Sequence, residues 1–170
     1  MFKKAFNILG FQLAWWSCVL GIQNGYSYFG PIIMAVFLSV HLIFFKLNGS
    51  EIVFIGAVGI IGAMVDTAFL QLSFIEYRGL TVPYFAPLWI IAMWLGFAAT
   101  LNHSLSWLAD RWLFAVLLGA IFGPLSYLAG TKFGALNFTP TFFSITVLVV
   151  IWGVAIPLLY LLNQKMVLAK

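Results

Sequence analysis

The chain has 170 residues, 64% of them hydrophobic and 7% charged, with mean hydropathy +1.11 and a formal net charge of +4. An ordinary soluble domain is about 25% charged, so this composition excludes a water-soluble globular protein. Its few cations are scattered, which excludes a nucleic-acid partner, since that recognition needs clustered ones. Apolar segments long enough to cross about 30 Å of hydrocarbon, at about 20 helical residues each, recur throughout. The expected fold is therefore all-α, a single transmembrane domain over 1–170 with six transmembrane helices. Continuous apolar runs favour helices over barrel strands, which alternate.

The first span, Ala5 to Ile22, follows Lys3 and Lys4. No small-x-small cleavage site comes after it, so it reads as an uncleaved span. Trp15, Trp16 and Ser17 are too bulky to precede a lipoprotein cysteine. Cys18, alone in the chain, makes no intrachain disulfide and reads as packing. Gln12, Trp16 and Gln23 share a face and offer polar contacts to a central cavity. The second span, Pro31 to Leu47, is set off by Gln23 and Asn24 before it and by Asn48 to Glu51 after it, and carries His41.

The third span, Ile52 to Ile75, places Gly59, Gly62, Asp66 and Ser73 along one stripe. Small residues let helix backbones approach closely in lipid, so the stripe is expected to face protein, and Asp66 with it. An ionised carboxylate at that depth costs about 3 kcal/mol on insertion scales, so Asp66 must be paired, hydrated or neutral. Its readings are proton carrier, cation ligand, general acid or base, or a hydrogen-bonded packing residue.

In the fourth span, Pro87 to Leu105, helical spacing puts Gly96, Thr100, His103, Ser104 and Trp107 on one side, beside Asn102. His41 and His103 then lie at similar depth, either lining a common pocket or proton path or standing as two interfacial histidines. The fifth span, Trp112 to Thr131, has a second small-residue stripe: Gly119, Gly123, Tyr127, Gly130 and Gly134. The sixth, Thr141 to Leu162, carries Pro157, where a kink is expected, and looks the most lipid-facing.

Three spans are preceded by Phe-x-Pro: Phe29, Gly30, Pro31; Phe85, Ala86, Pro87; and Phe138, Thr139, Pro140. Pro suits a first helical turn and aromatics suit an interface; a duplicated helical hairpin would give the same recurrence. With six spans, Lys3, Lys4, Lys46, Arg111, Lys165 and Lys170 fall on one side and only Arg78 and Lys132 on the other. Loops rich in Lys and Arg stay cytoplasmic, so both termini are expected there.

Asp66, His41, His103 and Cys18 are the conceivable metal ligands, but no pair has the i, i+4 spacing of a helical site, and no metal centre or other cofactor is expected. Nucleophile-elbow and phosphate-loop motifs are absent. The candidate polar site is Asp66, Asn102, His103, Tyr127 and His41; the candidate helix-packing residues are Gly59, Gly62, Gly119, Gly123 and Gly130.

The blocks GIIGAMVDT, PLWIIAMWLGFAATLNHSLSWL and GPLSYLAGTKFGA resemble the hallmarks of a family of small bacterial inner-membrane proteins classed as a domain of unknown function. The resemblance covers nearly the whole chain and implies a multi-pass inner-membrane protein. That family's genes lie beside cyclopropane-fatty-acid-synthase-like and flavin-dependent enzymes, which implies membrane-lipid modification by association. Three functional readings remain. The first is a lipid-related accessory protein, or one that binds or transports a small hydrophobic molecule at an intramembrane polar site. The second is an intramembrane enzyme acting on acyl lipids through Asp66 and His103. The third is an assembly subunit. The partners expected are membrane lipids and a membrane or peripheral protein.

Overall fold

Six α-helices make up the protein in a computed structural model that describes residues 2–80 and 82–168. They are α1 (Phe2–Gln23), α2 (Phe29–Phe45), α3 (Gly49–Gln71), α4 (Leu88–Leu101), α5 (Trp112–Lys132) and α6 (Phe142–Asn163), the last continued by a π turn over Gln164–Leu168. Two short strands interrupt the longer connections: β1 (Glu76–Tyr77) between α3 and α4, and β2 (Leu136–Asn137) between α5 and α6. They pair antiparallel, Glu76 opposite Asn137 and Tyr77 opposite Leu136. Lys170, counted above among the cations of one side, lies outside the described residues.

Four helices, α1, α3, α5 and α6 with its extension, are long and apolar enough to cross a membrane; α2 and α4, with 17 and 14 residues, are shorter. The outer surface is apolar. Ile43, Ile60, Met64, Leu113, Phe122 and Phe143 are each more than 60% exposed, an arrangement that water penalises and lipid does not.

α4 is the central helix: it packs against α1, α2 and α3, and nine of its 14 residues are buried. α5 pairs with α6, which in turn touches α3. The close approaches rest on glycine. A methyl group on Gly30 would stand 2.2 Å from Cys18 Cα, so α2 crosses α1 with backbone almost against backbone. One on Gly119 would stand 2.4 Å from the carbonyl oxygen of Trp152, and α5 lies on α6 in the same way. Van der Waals packing of this kind holds helices together where lipid supplies no hydrophobic drive.

Helix boundaries differ from the sequence expectation where the chain turns without a breaker. The third helix stops at Gln71, not Ile75, because the backbone turns left-handed at Ser73 (φ 53°). Ser73 is therefore exposed and off the stripe that holds Gly59, Gly62 and Asp66. The fourth stops at Leu101, and residues 102–105 form turns, so His103 and Ser104 are not on the helical face with Gly96 and Thr100. Gly134 lies beyond α5, at φ 69°, where the chain swings toward β2. The α3 N-terminus is capped by Asn48, whose Oδ1 accepts the Glu51 amide at 2.8 Å. That places an acidic side chain in the first turn, where the helix dipole favours it.

Candidate functional site

Asp66 is fully buried, and its carboxyl gathers three elements. Tyr77 of β1 donates its hydroxyl to Oδ1 at 2.5 Å, Tyr127 of α5 donates to the same oxygen at 2.8 Å, and the Trp94 indole N–H of α4 donates to Oδ2 at 2.6 Å. Local sequence explains each approach. Gly62, one turn before Asp66 on α3, leaves the space that the Trp94 indole fills: a Cβ there would fall 1.9 Å from an indole ring carbon. Gly123 does the same for Trp152 on α5, and the two indoles stack at 4.9 Å with 5° between their planes. Gly59 receives Leu95 of α4, and Gly130 faces Leu136 of β2. The β1–β2 pairing holds Tyr77 in place.

The donors are all neutral, and no Lys, Arg or His pairs with Asp66 among the described residues. A carboxylate offers about four lone-pair sites, so three donors leave one acceptor position. Burial, and then the facing Asp66, hold the Tyr77 phenol well above its ordinary range, so it remains a donor.

Tyr127 lines a cavity of about 560 Å³ between α1, α4, α5 and α6, and Asp66 borders it without any accessible surface of its own. Aliphatic and aromatic residues make this wall, the latter including Trp15, Trp16, Trp94, Phe97 and Trp152, with Gln12, Thr100, Ser104 and Ser126 as sparse polar points. α1 and α5 face each other across it, and its rim between them carries the exposed side chains of Ile8, Trp16, Phe122 and Leu125. The mouth is therefore apolar and lateral. Gln23, expected on the same face as Gln12 and Trp16, is exposed at the end of α1 and does not line the cavity.

A second polar cluster occupies the end of the bundle where α1 and α3 begin and α2 and α4 finish. His103 Nε2 lies 2.7 Å from Glu51 Oε1, and the imidazoles of His41 and His103 are 4.6 Å apart between ring centres. Asn7 of α1 knits the surroundings: its Nδ2 donates to the Ala99 carbonyl at 3.0 Å, and its Oδ1 accepts the Ser104 amide and hydroxyl at 3.1 and 2.6 Å. Asn102 and Asn163 exchange two amide hydrogen bonds, at 3.0 and 2.6 Å, and tie the end of α4 to α6.

Of the residues singled out from sequence, Asp66 and Tyr127 meet directly, His41 and His103 meet at the other cluster, and Asn102 stands beside the latter. Asp66 shares no hydrogen bond with either histidine, and buried Cys18 belongs to neither cluster. Sequence reasoning missed Tyr77, Trp94, Glu51, Asn7 and Asn163. Two signals were present: Asn7 and Asn163 are amides at the two ends of long apolar runs, and Glu51 opens a span that has one other acid, Asp66.

Residues 4–158 match a family described as "Protein of unknown function (DUF2878)". No curated protein and no solved structure matches the chain.

Proposed function

The chain belongs to the DUF2878 family of proteins of unknown function, and from that premise we propose that it binds a small amphipathic molecule inside the membrane, its tail in the aromatic cavity and its polar end at Asp66. The observation that carries this reading is the lateral apolar mouth leading to a wall that contains a buried carboxyl. A volume of about 560 Å³ falls among ordinary ligand cavities of roughly 300–1,000 Å³, which pair apolar walls with a few placed polar groups. Asp66 accepts, so the guest's polar end must donate: a hydroxyl, amide or ammonium fits and a carboxylate does not. The rim of Ile8, Phe122 and Leu125 suits a molecule arriving from the acyl chains, which makes membrane lipids or lipid-derived molecules the natural source.

Five of the seven tryptophans line the cavity, so occupancy is readable by fluorescence. A brominated long-chain alcohol added to the protein in detergent should quench them saturably. Asp66→Asn should weaken that binding about tenfold, and a brominated fatty acid should bind worse than the alcohol. Quenching that climbs without saturating, alike in both proteins, would refute the proposal.

The same reading places all six helices across the bacterial inner membrane with both termini cytoplasmic. Support comes from the chain's reversals: Lys3 stands 5.2 Å over the Phe44 ring at one end of the bundle, while Arg78 and Lys132 flank the β-ribbon connections at the other. A reporter fused after Lys170 should report cytoplasm; a periplasmic signal would reverse the assignment.

A further inference from the structure

We propose that His41, Glu51 and His103 form a binding site for one divalent first-row transition-metal ion, of which zinc is the simplest occupant. Each residue comes from a different segment: His41 from the last turns of α2, Glu51 from the first turn of α3, and His103 from the turn after α4. One donor atom from each lies within 4.8 Å of the others. The site is separate from the Asp66 cavity and does not depend on what that cavity holds.

An independent observation points to a ligand. His41 is fully buried, and its Nε2 is the one buried side-chain nitrogen or oxygen without a hydrogen-bond partner among the described residues. Buried polar atoms are nearly always satisfied, so this orphaned imidazole nitrogen marks the place of a missing partner, and a second imidazole and a carboxylate beside it suit a cation. Its other nitrogen is lightly held: Asn7 Nδ2 stands 3.4 Å from Nδ1, longer than a well-formed bond, while it donates to Ala99 at 3.0 Å. Coordination at Nε2 puts the ring proton on Nδ1 and displaces that weak Asn7 contact, since the amide nitrogen can only donate; Asn7 keeps its bond to Ala99.

The donor set decides the class of ion. Two imidazoles and one carboxylate are the ligands of open zinc sites and of facial-triad iron sites, whereas magnesium and calcium take oxygen alone. The thiolate that copper(I) favours is missing, since Cys18 lies elsewhere. In a tetrahedral site with bonds of about 2.0–2.1 Å, ligand atoms stand roughly 3.3 Å apart. The 2.7 Å contact between His103 and Glu51 must therefore open slightly, and the widest separation must close. His103 and Glu51, 15% and 11% exposed, are the side chains free to make that adjustment, and their exposure leaves a path for the ion and a free coordination position. The Phe45 ring packs at 4.5 Å from His41 and 4.1 Å from His103, and Phe37 stacks on His41, so one side of the site is apolar.

The test uses full-length protein in detergent, without a polyhistidine tag and stripped by EDTA. Titration with Co²⁺ should give one ion per chain, with the intense visible absorption of four- or five-coordinate cobalt, and zinc should displace it. Glu51→Gln keeps a hydrogen-bonding group beside His103 and should fold, yet bind at least tenfold more weakly. His41→Phe should lose the spectrum. Asp66→Asn should bind cobalt as the wild type does, which separates this site from the cavity. Binding below about 0.1 ion per chain, a weak octahedral spectrum, or equal affinity in Glu51→Gln and the wild type would overturn the assignment and leave a water as the partner of His41.

Discussion

Asp66→Ala should lower the stability of the protein in detergent by about 2–6 kcal/mol. The change strands three buried donors at once, the hydroxyls of Tyr77 and Tyr127 and the indole N–H of Trp94. An interhelical hydrogen bond in a membrane protein averages about 0.6 kcal/mol when measured by double-mutant cycles, which sets the lower figure. A buried donor left without any acceptor costs roughly 1–3 kcal/mol, and three at about 2 kcal/mol each set the upper one. The cost of placing a carboxyl in oil does not offset this loss, because the reference state in an SDS titration keeps the helix in a micelle. Tyr77→Phe removes a single donor and leaves the carboxyl two others, so it should cost about 1 kcal/mol. Unfolding in SDS, followed by circular dichroism, gives both values. If Asp66→Ala proved no more costly than Tyr77→Phe, the carboxyl would not be the joint that the geometry describes.

Gly62→Ala should be nearly as damaging, at about 2–4 kcal/mol, although it adds one methyl group. Three indole atoms of Trp94 would lie 1.9–2.4 Å from the new carbon, and the ring cannot move away without disturbing its stack on Trp152. Overpacking of this sort costs about 1–3 kcal/mol, and the displaced indole also loses its bond to Asp66, worth about 1 kcal/mol. Gly56→Ala, on the same helix with open space beside it, should be silent or slightly stabilising, since Ala is the better helix former. The same SDS titration decides: equal midpoints for the two variants would show that α3 and α4 do not press together at Gly62.

Those two residues show what was legible beforehand. Asp66 and Gly62 stood out because a membrane makes charge and the lack of a side chain conspicuous against an apolar background, and three- and four-residue spacing put them on one face. The partners were less visible. Tyr77 reaches Asp66 through a two-residue strand whose mate lies sixty residues away, a pairing no local pattern announces. Glu51 reads as a polar residue closing a loop, and its meeting with His103 depends on how α3 and α4 pack. Helix ends were misjudged where apolar residues continue past the last turn: Phe74 and Ile75 beyond α3, and Leu105 beyond α4. A left-handed Ser73 carries no signature comparable to a glycine or a proline. The i, i+4 spacing test for metal ligands is likewise blind to three donors on three separate segments.

The β1–β2 ribbon stitches the α3–α4 connection to the α5–α6 connection, while Tyr77, inside that stitch, also grips the carboxyl of α3. One end of the bundle is thus sewn shut, whereas α1 and α5 line opposite walls of the cavity and meet near the end of α5, where Trp16 packs on Phe133. In the proposed function a guest would come and go sideways, through the oil itself, without the seam parting, so that the barrier would stay tight while the chamber exchanged its contents.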